Sequence, residues 1–313
     1  KKVRNQVITT LKERHQRHAL GRLCLLFGLT RQAYYQYYWQ AEDTSFEHEL
    51  VLKQVVRIRK KHAKMGARKL LVLLESFLLE HQIKMGRDAL FELLAANNLL
   101  IKRRKRRAPT TNSLHWLRKY PNLIRSFTTT RSNQLWVSDI TYWRLKDRFI
   151  YISFITDAYS HKIVGYQVDE TLEAASTIRA LQMAIDEAAG SIEGLIHHSD
   201  RGIQYCSHHY VKLLQDNQIQ ISMTENGDPL ENALAERING IIKEEYLDCY
   251  QIETIQEATL LLEEVVKLYN QERPHMSIGN LTPEEIHQTN QKTERLWRNY
   301  YPKKRTLVNP LQD

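Results

Sequence analysis

No run of apolar residues in this 313-residue chain is long enough to span a bilayer, and its start is basic and polar without a signal-peptide segment. These absences exclude a membrane partner and predict a soluble, cytoplasmic protein. Cysteine is scarce: Cys24, Cys206 and Cys249 are widely spaced and odd in number, which gives neither a disulfide framework nor a zinc pattern, and free thiols are expected. His197 and His198 do not make a chelating pair, because neighbours on a strand point to opposite faces; one is expected in the core and the other near a site. Acidic residues are thin in the first 125 residues, which hold 27 of the 45 Lys and Arg but only 9 of the 36 Asp and Glu. The remainder, with 18 basic and 27 acidic residues, has the opposite sign. A basic first part implies a polyanionic partner held by salt-sensitive contacts. With 42% hydrophobic residues, the chain has enough apolar material for two or three cores.

Three carboxylates organise what is there. Asp139 lies in Trp136-Val137-Ser138-Asp139-Ile140-Thr141-Tyr142, an alternation of aromatic and β-branched residues that reads as a strand. Asp200 follows the apolar Leu195-Ile196 and precedes a glycine turn at Gly202, so both acids read as strand-end residues. Glu236, separated from Asp200 by 35 residues, falls in a predicted helix opened by Gly227-Asp228-Pro229, with Leu230, Leu234, Ile238 and Ile241 as its apolar stripe. Carboxylates are hard oxygen ligands suited to Mg²⁺, and two ions about 3.5–4 Å apart activate an attacking oxygen and stabilise a leaving one in phosphodiester cleavage. Asp157, also at a predicted strand end, reads as a turn residue. On the Glu236 helix, Asn232 lies one turn earlier, as an orienting or DNA-binding residue. Lys243, two turns later on the same face, is placed to hold a DNA phosphate.

The segments Ser199-Asp200-Arg201-Gly202-Ile203-Gln204-Tyr205 and Asn232-Ala233-Leu234-Ala235-Glu236 resemble the DDE transposases of bacterial insertion sequences, in particular the IS-three family, whose catalytic core is shared with retroviral integrases. The likeness extends to Tyr120-Pro121-Asn122-Leu123, Tyr269-Asn270-Gln271-Glu272-Arg273-Pro274-His275 and Leu281-Thr282-Pro283-Glu284-Glu285, and covers roughly Leu20 to His287. Met65-Gly66 departs from the Tyr-Gly pair usual in the family. The resemblance implies an RNase H-like α/β core in which Asp139, Asp200 and Glu236 bind two Mg²⁺, with Mn²⁺ able to substitute. It also implies cleavage and strand transfer at element ends by a copy-out, paste-in route, in which one end's 3′-hydroxyl attacks near the other end.

Residues 1–47 are expected to be a helix-turn-helix DNA-binding segment. Leu20, Leu23, Cys24 and Phe27 form one side of its first helix, Gly28 breaks it, and Thr30 caps the second. That second helix offers Arg31, Gln32 and Gln36 to DNA while some of its aromatics pack inward. Ala41 to His48 reads as a hinge. Residues 48–107 form a second helical segment that ends in a basic arm, Lys102, Arg103, Arg104, Lys105, Arg106 and Arg107, suited to tracking phosphates. Residues 108–132 read as a linker, 133–288 as the catalytic core and 289–313 as a basic aromatic tail. Within the core the pattern predicts three antiparallel strands, then helix, strand, helix, strand and the Glu236 helix, with an apolar helix over 251–270 and a last short helix begun by Thr282-Pro283.

The expected function is that of a transposase acting on double-stranded DNA, both the terminal inverted repeats of its element and target DNA, in the nucleoid, as at least a dimer. The Glu49–Ile58 helix, the 251–270 helix and the tail after Gln288 are the surfaces expected to meet a second protomer. Two rivals differ in class. A former transposase serving as a DNA-binding regulator would have lost one of the acids, whereas all three are present. A structure-selective nuclease of the same fold would cut without joining strands and would not need two binding segments.

Overall fold

The computed structural model describes residues 2–101, 116–188, 192–225 and 232–296, with 2 and 40–44 described in backbone only. The chain divides into two compact units, Lys1–Lys60 with Leu74–Leu100, and Lys61–Leu73 with the described chain from Ile101 onward.

The first unit is helical, built from α1 (Lys2–Arg14), α2 (Leu20–Leu26), most of α3 (Arg31–Lys61), the latter part of α4 (Ala67–Glu80) and α5 (Arg87–Ala96). Ile8 of α1, Cys24 of α2 and Tyr34 of α3 form a small buried centre, with Leu20, Leu23 and Phe27 packed around it. The turn between α2 and α3 uses Gly28 at φ 66°, a conformation that glycine adopts without steric cost. The Thr30 hydroxyl then accepts the Ala33 N–H at 3.0 Å and caps α3 as expected. The sequence reading misses α1, because only Asn5 and Ile8 of that helix are buried and two residues do not make a stripe. The expected hinge at Ala41–His48 is instead helical, and α3 runs 31 residues unbroken. No glycine or proline interrupts it, and a Glu49–Lys53 pair at 2.8 Å supports it one turn on.

The second unit is a five-stranded sheet between helices. Its strands are β1 (Leu135–Arg144), β2 (Phe149–Asp157), β3 (Ile163–Asp169), β4 (Ile196–Ser199) and β5 (Gln220–Met223), in the spatial order β3-β2-β1-β4-β5. The first three are antiparallel neighbours, while β4 lies parallel to both β1 and β5. This is the RNase H-like order expected. Alternation along the strands sends neighbouring side chains to opposite faces. Trp136, Ile155 and Val164 pack against α6 (Ala174–Glu187) and α7 (His208–Asp216). Ile150, Ile152, Phe154 and Val168 pack against α8 (Ala233–Ile241) and α9 (Ile255–Glu272).

Contact between β3 and α6 is close because position 165 is glycine: a methyl there would lie 2.2 Å from the Ala180 carbonyl oxygen. The sheet edge at β3 is tied to α9 by Asn270, whose amide brackets Ile163, accepting its N–H at 3.0 Å and donating to its carbonyl at 2.9 Å. Asp157 is the turn residue expected, accepting from the Asn133 and Ser160 N–H groups and the Ser160 hydroxyl. Thr282 and Glu285 form a reciprocal capping box that opens α10 (Pro283–Thr289).

Gly227-Asp228-Pro229 and Leu230, the expected opening of the Glu236 helix, lie outside the described residues. So do Lys102–Arg107 and the tail from residue 297. Among the described residues no helix is long and apolar enough to cross a membrane. All three cysteines are free.

Candidate active site

Strand β1 pairs with β4 from Leu135–Ile196 to Ser138–Ser199, where β4 stops and β1 continues to Arg144 beside β2 alone. The next residue on each strand is an acid, Asp139 and Asp200. Asp200 is therefore at a strand end as expected. Asp139 is in mid-strand, and it is the ending of its neighbour that opens space beside it.

Its side chain shares a face with Leu135 and Val137, which pack against Ala235 of α8. Two amides stitch that helix to β1. Asn232, at its N-cap, donates to the Ser138 carbonyl at 3.0 Å, and Asn239 donates to Asp139 Oδ2 at 2.8 Å. Glu236 stands four residues after the first and three before the second, so the stitching sets it on the same helical face. Asn232 is only 6% exposed. The other Asp139 oxygen accepts the Ile140 N–H at 2.9 Å. Asp200 is held by the Gly202 N–H at 2.9 Å, and a side chain at Gly202 would collide with that same carboxylate oxygen.

Burial, then the charge of Asp200 and more weakly that of Glu236, push Asp139 up to about 7. Among the described residues no three His, Cys, Asp or Glu side chains stand close enough to grip one ion as they are. The donor chemistry nevertheless fits a hard divalent cation. The three groups are all carboxylates, near enough for Asp200 and Glu236 to disfavour the charge of Asp139, and such repulsion is what a cation would relieve.

Asp139 and Asp200 line one cavity of about 510 Å³, walled by Ile140, Tyr142, Phe149, Tyr151, Leu172 and the Gly202–Tyr205 turn. Helix α8 ends at Ile241 and passes into a π-helical turn, Ile242–Tyr246, whose second residue is Lys243. The Lys243 ammonium lies 4.0 Å from the centre of the Tyr142 ring at this rim. Neither histidine of the adjacent pair is at the site: His197 and His198 are both buried, bonded to the Tyr210 hydroxyl at 2.9 Å and the Ser222 hydroxyl at 2.8 Å. In the helical unit Arg31, Gln32 and Gln36 are all exposed on α3, while Tyr34 is buried and Tyr38 partly so.

Sequence reasoning missed Asn239 and Tyr142. The 232–236–239 spacing on one helical face was the signal for Asn239. Nothing in the sequence separates Tyr142 from an ordinary strand aromatic.

Two family models described as integrase core domain match the chain, over residues 129–229 and 217–283. The insertion element IS600 uncharacterized 31 kDa protein of Shigella sonnei is 34% identical over 267 residues, covering 83% of this chain and 96% of that protein. The transposase for insertion sequence element IS629, also from Shigella sonnei, is 32% identical over 208 residues, covering 66% of this chain and 70% of its own length. Among solved structures, the HTLV-2 integrase catalytic core in complex with magnesium is similar at 21% identity and a TM-score of 0.39, over 50% of this chain and 97% of that one.

Proposed function

Since the chain belongs to the bacterial insertion-sequence transposases that carry an integrase-type core, we propose that it binds the ends of a mobile DNA element and cuts and joins DNA strands at Asp139, Asp200 and Glu236. In cutting, a water oxygen attacks the phosphorus of a phosphodiester, the bond to the 3′-oxygen breaks, and the departing oxygen takes up a proton. In joining, that 3′-hydroxyl attacks a second phosphodiester and displaces another 3′-oxygen. One phosphorus–oxygen bond forms for each that breaks, so no nucleotide cofactor is consumed. Mg²⁺, or Mn²⁺ in its place, held by the three carboxylates, would supply positive charge that activates the attacking oxygen and offsets charge on the leaving one.

The chain's own residues do the rest. Asn239 orients Asp139, Gly202 holds Asp200, and Asn232 fixes the start of the helix that carries Glu236. The cavity gives room for a nucleotide beside the acids, and the Lys243 ammonium at its rim suits a phosphate. Arg31, Gln32 and Gln36 face a duplex from α3, and the Lys102–Arg107 arm grips its backbone. The observation that carries this reading is the placement of Asp139 and Asp200 side by side where β4 leaves the sheet, with the Glu236 helix stitched over them.

The test is substitution at nearly constant shape. Asp139→Asn, Asp200→Asn and Glu236→Gln are each expected to abolish cleavage and joining of end DNA while leaving duplex affinity largely intact. Full activity in any one of them removes that residue from the site.

A further inference from the structure

The second concentration of buried charge in the sheet unit lies on the π-helical turn that extends α8. Arg273, only 1% exposed, donates through Nε and Nη2 to the two carboxylate oxygens of Glu245, both at 2.8 Å, and its Nη1 meets His275 Nε2 at 2.7 Å. Burial alone would raise the Glu245 carboxyl, yet Arg273 and Lys69 hold it below its usual range. Further partners of this turn come from one stretch of chain, Lys61–Leu73, a connector made of the last residue of α3, the turn after it and the first half of α4. Lys69 Nζ reaches Glu245 Oε1 at 3.2 Å, the Lys64 N–H donates to the Glu245 carbonyl at 3.2 Å, and His62 Nδ1 bonds the Tyr246 hydroxyl at 2.8 Å. Lys61 adds a bond to Glu272 of α9 at 2.9 Å, and Met65 is fully buried. The catalytic reading above uses none of these groups.

A π turn is an uncommon backbone that persists where its surroundings hold it. This one directly continues the helix of Glu236. If its side-chain partners let go and it tightened to an α turn, the residues on either side would rotate relative to each other about the helix axis. We propose that the Lys61–Leu73 connector is a positioning clamp, which fixes the π turn through Lys69, His62 and the Lys64 amide and so sets Glu236 against Asp139 and Asp200. The inference rests on the reading of the three acids as the cutting and joining site.

The experiment uses the full chain with an end-sequence duplex and compares wild type, Lys69→Met, Lys69→Arg, Glu272→Gln and Asp139→Asn. Four quantities are read: single-turnover cleavage rate, duplex affinity, melting temperature, and Mn²⁺ binding followed by the paramagnetic resonance of the free ion. Lys69→Met is expected to cleave about tenfold more slowly and to bind Mn²⁺ several-fold more weakly at unchanged duplex affinity and melting temperature. Lys69→Arg keeps the cation and is expected to restore both. Glu272→Gln loosens the same connector from its exposed side and is expected to move both readouts in the same direction, which keeps the test decisive if Lys69→Met does not fold. Wild-type cleavage and Mn²⁺ affinity in both loosening variants would overturn the clamp, as would losses that follow melting temperature and are not restored by arginine. An active Asp139→Asn would overturn the underlying site reading, whereas an inactive Asp139→Asn beside a fully active Lys69→Met would overturn the clamp alone.

Discussion

A carboxylate crowded by two others needs a donor to hold it, and Asp139 has Asn239. A hydrogen bond to a charged group contributes roughly 1.5–3 kcal/mol, and about 1.4 kcal/mol is a factor of ten in rate. Asn239→Ala is therefore expected to slow single-turnover cleavage by about ten- to a hundredfold at unchanged duplex affinity. Asn239→Asp should be worse, because it puts a fourth negative charge where three already repel. A rate within about twofold of wild type in Asn239→Ala would show that Asp139 is held by the Ile140 N–H alone. The three acids stand out in the sequence through the family motifs that their segments resemble, because a single acid at a strand end or in a helix has many ordinary uses. Asn239 does not stand out, since an amide in a helix has many ordinary uses, and Gly202 reads only as a turn, not as the donor that holds Asp200. Asn232 was placed by helical spacing alone, whereas its bond to the Ser138 carbonyl joins residues 94 apart in the chain and is not visible in any local window.

Strand order could be anticipated from alternation and turn residues, and β1 to β5 lie close to where that pattern puts them. What periodicity does not reveal is where a helix changes type. Helix α8 gives way to a π turn whose Glu245 and Tyr246 find partners far along the chain, at Arg273, Lys69 and His62, and no local window contains those residues. The false hinge at Ala41–His48 is the converse case, since polar composition without glycine or proline does not break a helix. The short strand β4 also carries a titrating core. Burial, with a smaller contribution from His198, lowers His197 to about 3, against an ordinary value of 6.5. Its folded-state pKa is depressed, so the neutral ring's contribution to stability is present above pH 6.5 and is lost as pH falls toward 3. At about 1.4 kcal/mol per unit, lowering pH from 6.5 to 4.5 should remove roughly 2–3 kcal/mol through this residue. Urea midpoints at the two pH values check it. His197→Gln, which does not titrate, should lose less stability on acidification than wild type, and an equal loss would assign the acid sensitivity to other groups.

At the scale of the whole molecule, charge and function divide along the chain: a basic first part and an acidic remainder that holds the three carboxylates. Phosphate contacts give affinity without reading sequence, and each one lost reduces the salt slope of binding by about 0.9. Neutralising Arg103, Arg104, Arg106 and Arg107 is therefore expected to weaken specific and random duplexes alike and to flatten the slope by up to about 3–4, measured by titration across salt concentrations. Joining two DNA ends asks for more than one chain supplies. A single protomer with one set of acids would have to release one end before grasping the other, whereas a symmetric pair repeats both reader and site. Two surfaces expected to make that contact are largely spent within the chain itself. Val51 and Val55 of α3 are fully buried, and Ala258, Leu262, Val265 and Tyr269 of α9 belong to the sheet core. Truncating those side chains should therefore lower the stability of the monomer instead of selectively dissolving an assembly. The tail beyond residue 296 remains the candidate for protomer contact. Deleting residues 297–313 is expected to leave folding and single-end binding in place and to reduce the complex that forms on paired ends. Native mass measurement with end duplexes checks both points. The intact chain should appear with at least two protomers on two ends, and a complex of one protomer that joins two ends at full rate would sink the proposal.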